Sequence, residues 1–142
     1  MQLIIEPYTG VNEYRFGMTP AQIKQIAGLP DDIVNDTIMK QIRETYGPLE
    51  LIYTHKKLTE CIYRKEAEIF HEGIDLFRDE EVVAKLSAYD EPVRGGSGYM
   101  LFRKLGICLG GFHGKKIPQD RLVIVFSLDR LEYYEEFIMD EQ

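Results

Sequence analysis

Seven residues, Lys57–Tyr63 (K-L-T-E-C-I-Y), return later in the chain as Lys104–Gly110 (K-L-G-I-C-L-G), with Lys, Leu and Cys in the same three places. Each follows a short apolar run, so each reads as the second strand of a β-hairpin. A three-residue echo constrains a fold only if the elements around it recur as well. In outline they do. Thr19 is placed to cap a helix carrying Ile23 and Ile26, and Asp79 is placed to cap one carrying Val83 and Leu86. Pro30 and Pro92 close these two regions, and Gly47 and Gly98 lead into Leu49–Tyr53 and Tyr99–Arg103. Ala67–His71 and Leu122–Leu128 follow as a third strand in each half. The pattern predicts an α+β fold, a tandem repeat of a helix followed by an antiparallel β-sheet. It forms a single domain, with repeats over about 1–73 and 74–142. Leu58 and Leu105 should then hold equivalent sheet positions, and Ile23, Ile26, Val83, Leu86 and Val125 should be core.

The first helix is the best-marked element. Pro20 suits the first helical position, where a missing N–H costs nothing, and Gly28 with Pro30 stops the helix. Asp31–Tyr46 is less regular. Ile33, Val34, Ile38, Met39 and Ile42 are spaced for an amphipathic turn or two, interrupted by Asp and Asn. Leu131, Tyr134, Phe137 and Ile138 share one side of a terminal helix over Asp129–Gln142.

Phe16–Pro30 reads F-G-M-T-P-A-Q-I-K-Q-I-A-G-L-P, and its Gly17, Met18, Thr19, Gln22, Ile23, Gly28 and Pro30 resemble a G-M-T-x-x-Q/E-φ…G-x-P signature, where φ is apolar. That signature is found in proteins of the β-lactamase-inhibitor-protein-like architecture, and a small lipoprotein of the outer-membrane barrel-assembly machine carries a similar phrase. The second half departs from it, with Phe77-Arg78-Asp79 in place of Gly-Met-Thr. The resemblance implies a module that binds other proteins, such as an inhibitor or a bacterial toxin-immunity protein. It fixes no partner, because fold alone does not determine function.

Charge narrows the partner. With 24 acidic against 17 basic residues the net charge is −7, which disfavours nucleic acid and anionic membrane and suits a basic protein. Leu3–Ile5 runs directly into Glu6 without a signal-like segment, and no stretch is long enough to span a bilayer. The expectation is a cytoplasmic chain with reduced thiols.

Candidate chemistry is sparse. His55, Cys61, Cys108 and His113 fall near matching places in the two halves, yet no C-x-x-C or H-x-x-x-H spacing supplies metal ligands. Arg94-Gly-Gly-Ser-Gly98 and Gly110–Lys116 are glycine-rich but lead toward strands, so they read as hairpin connections rather than phosphate loops. The pairs Lys56-Lys57, Arg64-Lys65, Arg103-Lys104 and Lys115-Lys116 sit at strand ends, where charge discourages edge-to-edge pairing. The strongest local bias is the acidic, Tyr-rich tail. Glu132, Tyr133, Glu135, Glu136 and Asp140 are the candidate protein-binding residues. No cofactor and no catalytic residue are expected. The leading reading is a non-enzymatic inhibitor or immunity protein that neutralises a basic toxin or enzyme. The alternative is a small-molecule-binding or enzymatic α+β domain with a Tyr-lined pocket.

Overall fold

The structure, a computed structural model, describes residues 2–95, 98–112 and 121–140. His113, Lys115-Lys116 and the Gly96-Ser97 step of the two glycine-rich stretches lie outside the described residues. In chain order the elements are β1 (Leu3–Glu6), β2 (Gly10–Val11), β3 (Tyr14–Arg15), α1 (Pro20–Ala27), β4 (Asp32–Asp36), β5 (Gln41–Tyr46), β6 (Leu49–Thr54) and β7 (Lys57–Arg64). They continue as β8 (Ile69–His71), β9 (Ile74–Asp75), α2 (Val82–Ser87), β10 (Val93–Arg94), β11 (Met100–Phe102), β12 (Ile107–Gly110), β13 (Leu122–Phe126) and α3 (Leu131–Asp140). A 3-10 turn over Leu128–Arg130 leads into α3.

Two sheets carry the fold. A five-stranded sheet runs β3-β2-β1-β8-β9, and an eight-stranded sheet runs β10-β11-β12-β13-β7-β6-β5-β4. Every pair in the large sheet is antiparallel, while β1 and β8 in the small one are parallel. The large sheet is buried on both sides along its middle. One face, through Leu51, Tyr53, Cys61, Tyr63, Val123 and Val125, packs in the main core with Ile23, Leu86 and the small sheet. The other, through Ile52, Ile62, Cys108, Ile124 and Phe126, packs under Tyr134 and Ile138 of α3.

This architecture overturns the expected α+β tandem repeat of a helix followed by an antiparallel sheet. The described residues are 40% strand against 21% helical. The echoed segments also occupy different ranks. Lys57–Tyr63 lies in β7, whose neighbours are β6 and β13, whereas the second copy contributes β12 between β11 and β13. Leu58 is a strand residue, and Leu105 belongs to the turn before β12. The third strands part company as well: β8 leaves for the small sheet, while β13 enters the centre of the large one. The reason is burial. Val123, Val125 and Phe126 are fully buried and Ile124 nearly so, and only a central strand covers both faces of such a run.

Local expectations fared unevenly. At α1, Thr19 Oγ1 accepts from Gln22 N (3.3 Å) and Gln22 Oε1 accepts from Thr19 N (2.9 Å), a reciprocal cap of two free amides. Gly28 follows with φ 79°, a conformation that favours glycine at a helix end. The helix buries Ile23 but leaves Ile26 40% exposed, so Ile26 is not core. Val83 is half-buried, with Val82 and Leu86 taking the inner positions of α2. Asp79 is not the N-cap there. Glu81 is, without a side-chain bond, while Asp79 Oδ1 accepts from Glu81 N (2.8 Å) in the turn before it. Asp31–Tyr46 contains no helix: it forms the β4–β5 hairpin. Among the described residues, no helix is long and apolar enough to cross a membrane.

Candidate functional site

Cross-strand partners share a face of a sheet, so the register spells out the surface on the α3 side. One row runs Phe126, Glu60, Ile52, Arg43, Val34, and the next runs Ile124, Ile62, Glu50, Thr45, Asp32. The helix covers only the β13 end of these rows. Tyr134 stacks on Phe126 at 4.6 Å between ring centroids, and Phe137 meets Tyr99 edge-on at 5.0 Å. Toward β4 the face is roofed by its own charged side chains. Glu50 accepts from Arg43 Nη1 (2.6 Å) and Arg64 Nη2 (2.9 Å), and these two guanidinium groups hold its carboxyl below the usual range against the opposing effect of burial.

Glu60 lies at the border between helix and open sheet, with its side chain 2% exposed. Its carboxylate accepts from Arg130 Nε (2.9 Å), the Tyr134 hydroxyl and Thr59 Oγ1 (3.0 Å). Burial first, and then the adjacent Glu60 charge, push the Tyr134 phenol well above its ordinary value. Beside this cluster a cleft of about 190 Å³ opens, floored by Ile52, Ile62 and Ile124 and walled by Tyr133 on one side and Gln41 and Arg43 on the other. The Arg130 guanidinium lies 4.2 Å from the Tyr133 ring centroid and holds that ring over the cleft.

The open face ends at β4, the outermost strand, and every residue from 31 to 40 is exposed. Six of the eleven exposed large apolar side chains among the described residues fall in one stretch: Ile26, Leu29, Ile33, Val34, Ile38 and Met39. Ile38, at the hairpin tip, is 89% exposed. The tip is ordered by Asp36, whose Oδ1 accepts from Ile38 N (3.1 Å) and Met39 N (3.0 Å). That Asx turn holds two apolar side chains in water, which makes this stretch a candidate interaction surface.

Of the residues predicted to bind protein, Tyr133 lines the cleft and Glu132 is exposed one position before it. Glu135, Glu136 and Asp140 border a shallow groove with Met139 instead, and Glu135 is within 3.6 Å of Arg103 Nη1. Sequence reasoning missed β4, Arg43 and the Glu60–Arg130 pair. A signal for the last was present, since a lone Glu inside T-E-C-I-Y needs a partner if that run is buried.

Among the described residues, the metal and thiol constellation does not assemble, and His113 lies outside them. Cys61 faces Val125 and Cys108 faces Ile124, so the two thiols sit on opposite faces of the large sheet. Burial pushes both up to about 12. His71 is buried in β8 against Tyr89, while His55 sits in the β6–β7 turn. No group of three His, Cys, Asp or Glu able to hold a metal occurs among the described residues. A second cavity, about 430 Å³, is bordered by Lys40, Gln41, Ile42, His55 and Lys56 at the hairpin tips. Comparison with protein-family models, with curated proteins and with solved structures found no match.

Proposed function

We propose that the chain is a non-enzymatic protein-binding module that takes a basic polypeptide onto the open half of its large sheet, as an inhibitor or immunity protein neutralising a basic toxin or enzyme. The observation that carries this reading is the run of exposed apolar side chains along 26–39, from α1 through the outermost strand β4 to its turn, interspersed with Asp31, Asp32 and Asp36. Such an arrangement combines apolar surface to bury with acids to steer a cationic partner. The surface continues from Val34 across Arg43 to Tyr133, an exposed ring of the kind that anchors interfaces. The net charge of −7 and the resemblance of Phe16–Pro30 to protein-binding modules add support.

The alternative of a Tyr-lined small-molecule pocket is the weaker reading. A pocket bordered by Tyr14 and Tyr63, about 340 Å³, lies at the low end of the roughly 300–1,000 Å³ typical of ligand sites and has no His among the described residues that line it. The Tyr-lined cleft beside Glu60, about 190 Å³, is smaller still. It suits one inserted side chain better than a whole ligand.

A photo-crosslinking amino acid placed singly at Val34, Tyr133 and Ile4 in the cell of origin tests the proposal. Val34 and Tyr133 should give adducts with the same basic protein, and Ile4, exposed on the small sheet, should give none. Loss of both adducts, or adducts equally abundant from Ile4, would refute the reading.

A further inference from the structure

The two edges of the large sheet differ. At one end β10 has two residues, and an edge this short offers little to pair with. At the other, β4 has five residues, all exposed, and among the described residues its backbone bonds to nothing beyond β5 and its own turn. Alternate N–H and C=O groups of such a strand point outward, ready to accept another strand.

The side chains of β4 determine which strand fits. On the α3 side it presents Asp32, Val34 and Asp36, and on the other Ile33 and Asn35. A second copy pairing in full antiparallel register, centred on Val34, would set Asp32 against Asp36 at both ends, and like charges directly opposite destabilise a pair. A strand with cations at those two positions and an apolar residue between them gains at all three. Asp32 has no charged partner among the described residues, so its charge is available for such a pair.

Resting on the protein-binding reading above, we propose that β4 recognises its partner by strand addition, taking an extended segment of the form basic–x–apolar–x–basic into the edge of the large sheet. The segment's cations lie against Asp32 and Asp36, and its central side chain packs beside Val34. The pattern reads the same in both directions, so recognition by charge does not depend on strand orientation. The same two aspartates that reject self-pairing select the basic strand.

The probe is a disulfide-closed hairpin peptide whose outer strand reads K-T-V-I-K, compared with one reading E-T-V-I-E. Binding is followed by amide shifts and hydrogen exchange of the whole chain. The K peptide should bind the wild type at least about tenfold more tightly, since two cross-strand charge pairs change sign between the probes. It should also slow exchange at residues 32–36. The Asp32→Lys/Asp36→Lys variant should reverse the preference, and Asp32→Asn/Asp36→Asn should abolish it. Far-UV circular dichroism confirms that both variants remain folded. Equal binding of the two peptides, an unchanged preference in the Lys variant, or perturbation confined to the cleft beneath Tyr133 would each overturn strand addition. So would a concentration-dependent dimer in sedimentation that both variants dissolve, because the occupant would then be a second copy. The wider protein-binding reading fails separately, through the crosslinks from Val34 and Tyr133.

Discussion

Glu60→Ala is the perturbation with the largest calculable consequence near the site. The Glu60 side chain is 2% exposed and that of Arg130 16%, so removing the carboxylate strands a nearly buried guanidinium and leaves the Tyr134 hydroxyl without its acceptor. Breaking a buried ion pair from one side costs about 3–5 kcal/mol. For a chain of this size, 1 kcal/mol corresponds to roughly 2–4 °C, so the melting temperature should fall by about 6–20 °C. Glu60→Gln keeps an acceptor for Arg130 and should lose less. The paired variant Glu60→Leu/Arg130→Met removes both charges, and its loss should be smaller than the sum of the two single losses. Urea unfolding followed by far-UV circular dichroism and by Tyr emission measures the wild type and these variants, with Glu60→Leu and Arg130→Met alone completing the cycle. A cost below about 1 kcal/mol for Glu60→Ala, the range of ordinary surface changes, would refute the reasoning. Strict additivity in the cycle would do so as well. Because Glu60 lines the cleft and Arg130 holds the Tyr133 ring over it, Glu60→Ala should also weaken partner binding.

Three further outcomes follow from packing and burial. Ile23→Ala should cost about 2–5 kcal/mol in urea unfolding, and Ile26→Ala less than about 1 kcal/mol, because only Ile23 is buried by α1. Cys61 and Cys108 should resist Ellman's reagent at pH 8 in the folded chain and react fully in denaturant, since burial raises both thiols to about 12. Burial lowers the His71 pKa, opposed by the nearby Glu72 charge, and His71 Nδ1 is buried without a partner. Between that lowered value and the unfolded value of about 6.5 the unfolded chain binds more protons, so stability should drop as pH falls through about 6.5. His71→Gln should flatten that part of the profile, as measured by urea midpoints between pH 5 and 7.5.

The elements legible in the sequence were those stabilised locally. Thr19, Pro20, Gln22 and Gly28 act within two turns of one another, so α1 could be read from residue types alone. The terminal helix was legible for the same reason, with Tyr134 and Ile138 spaced for one buried face. The β4 strand was not. It is exposed on both faces, so no alternation marks it, and the spacing of Ile33, Val34, Ile38 and Met39 imitates a helix that the Asx turn at Asp36 in fact replaces. The echo of Lys57–Tyr63 misled because both copies flank β13: similar apolar surroundings favour similar residues without equivalent rank in the sheet. The Glu60–Arg130 contact joins residues 70 positions apart, beyond the reach of any local pattern. Of the five candidate binding residues in the acidic tail, Tyr133 alone lines the cleft. Glu135, Glu136 and Asp140 face a different groove.

Amide hydrogen exchange of the free chain and of the same chain bound to the basic protein crosslinked from Val34 tests the central claim most directly. The account predicts slowed exchange across residues 32–43, the β4 strand with its turn and the first half of β5, while the amides of β1, β8 and α2 are unchanged. Protection confined to α2 or the small sheet, with 32–43 exchanging as fast as in the free chain, would contradict it.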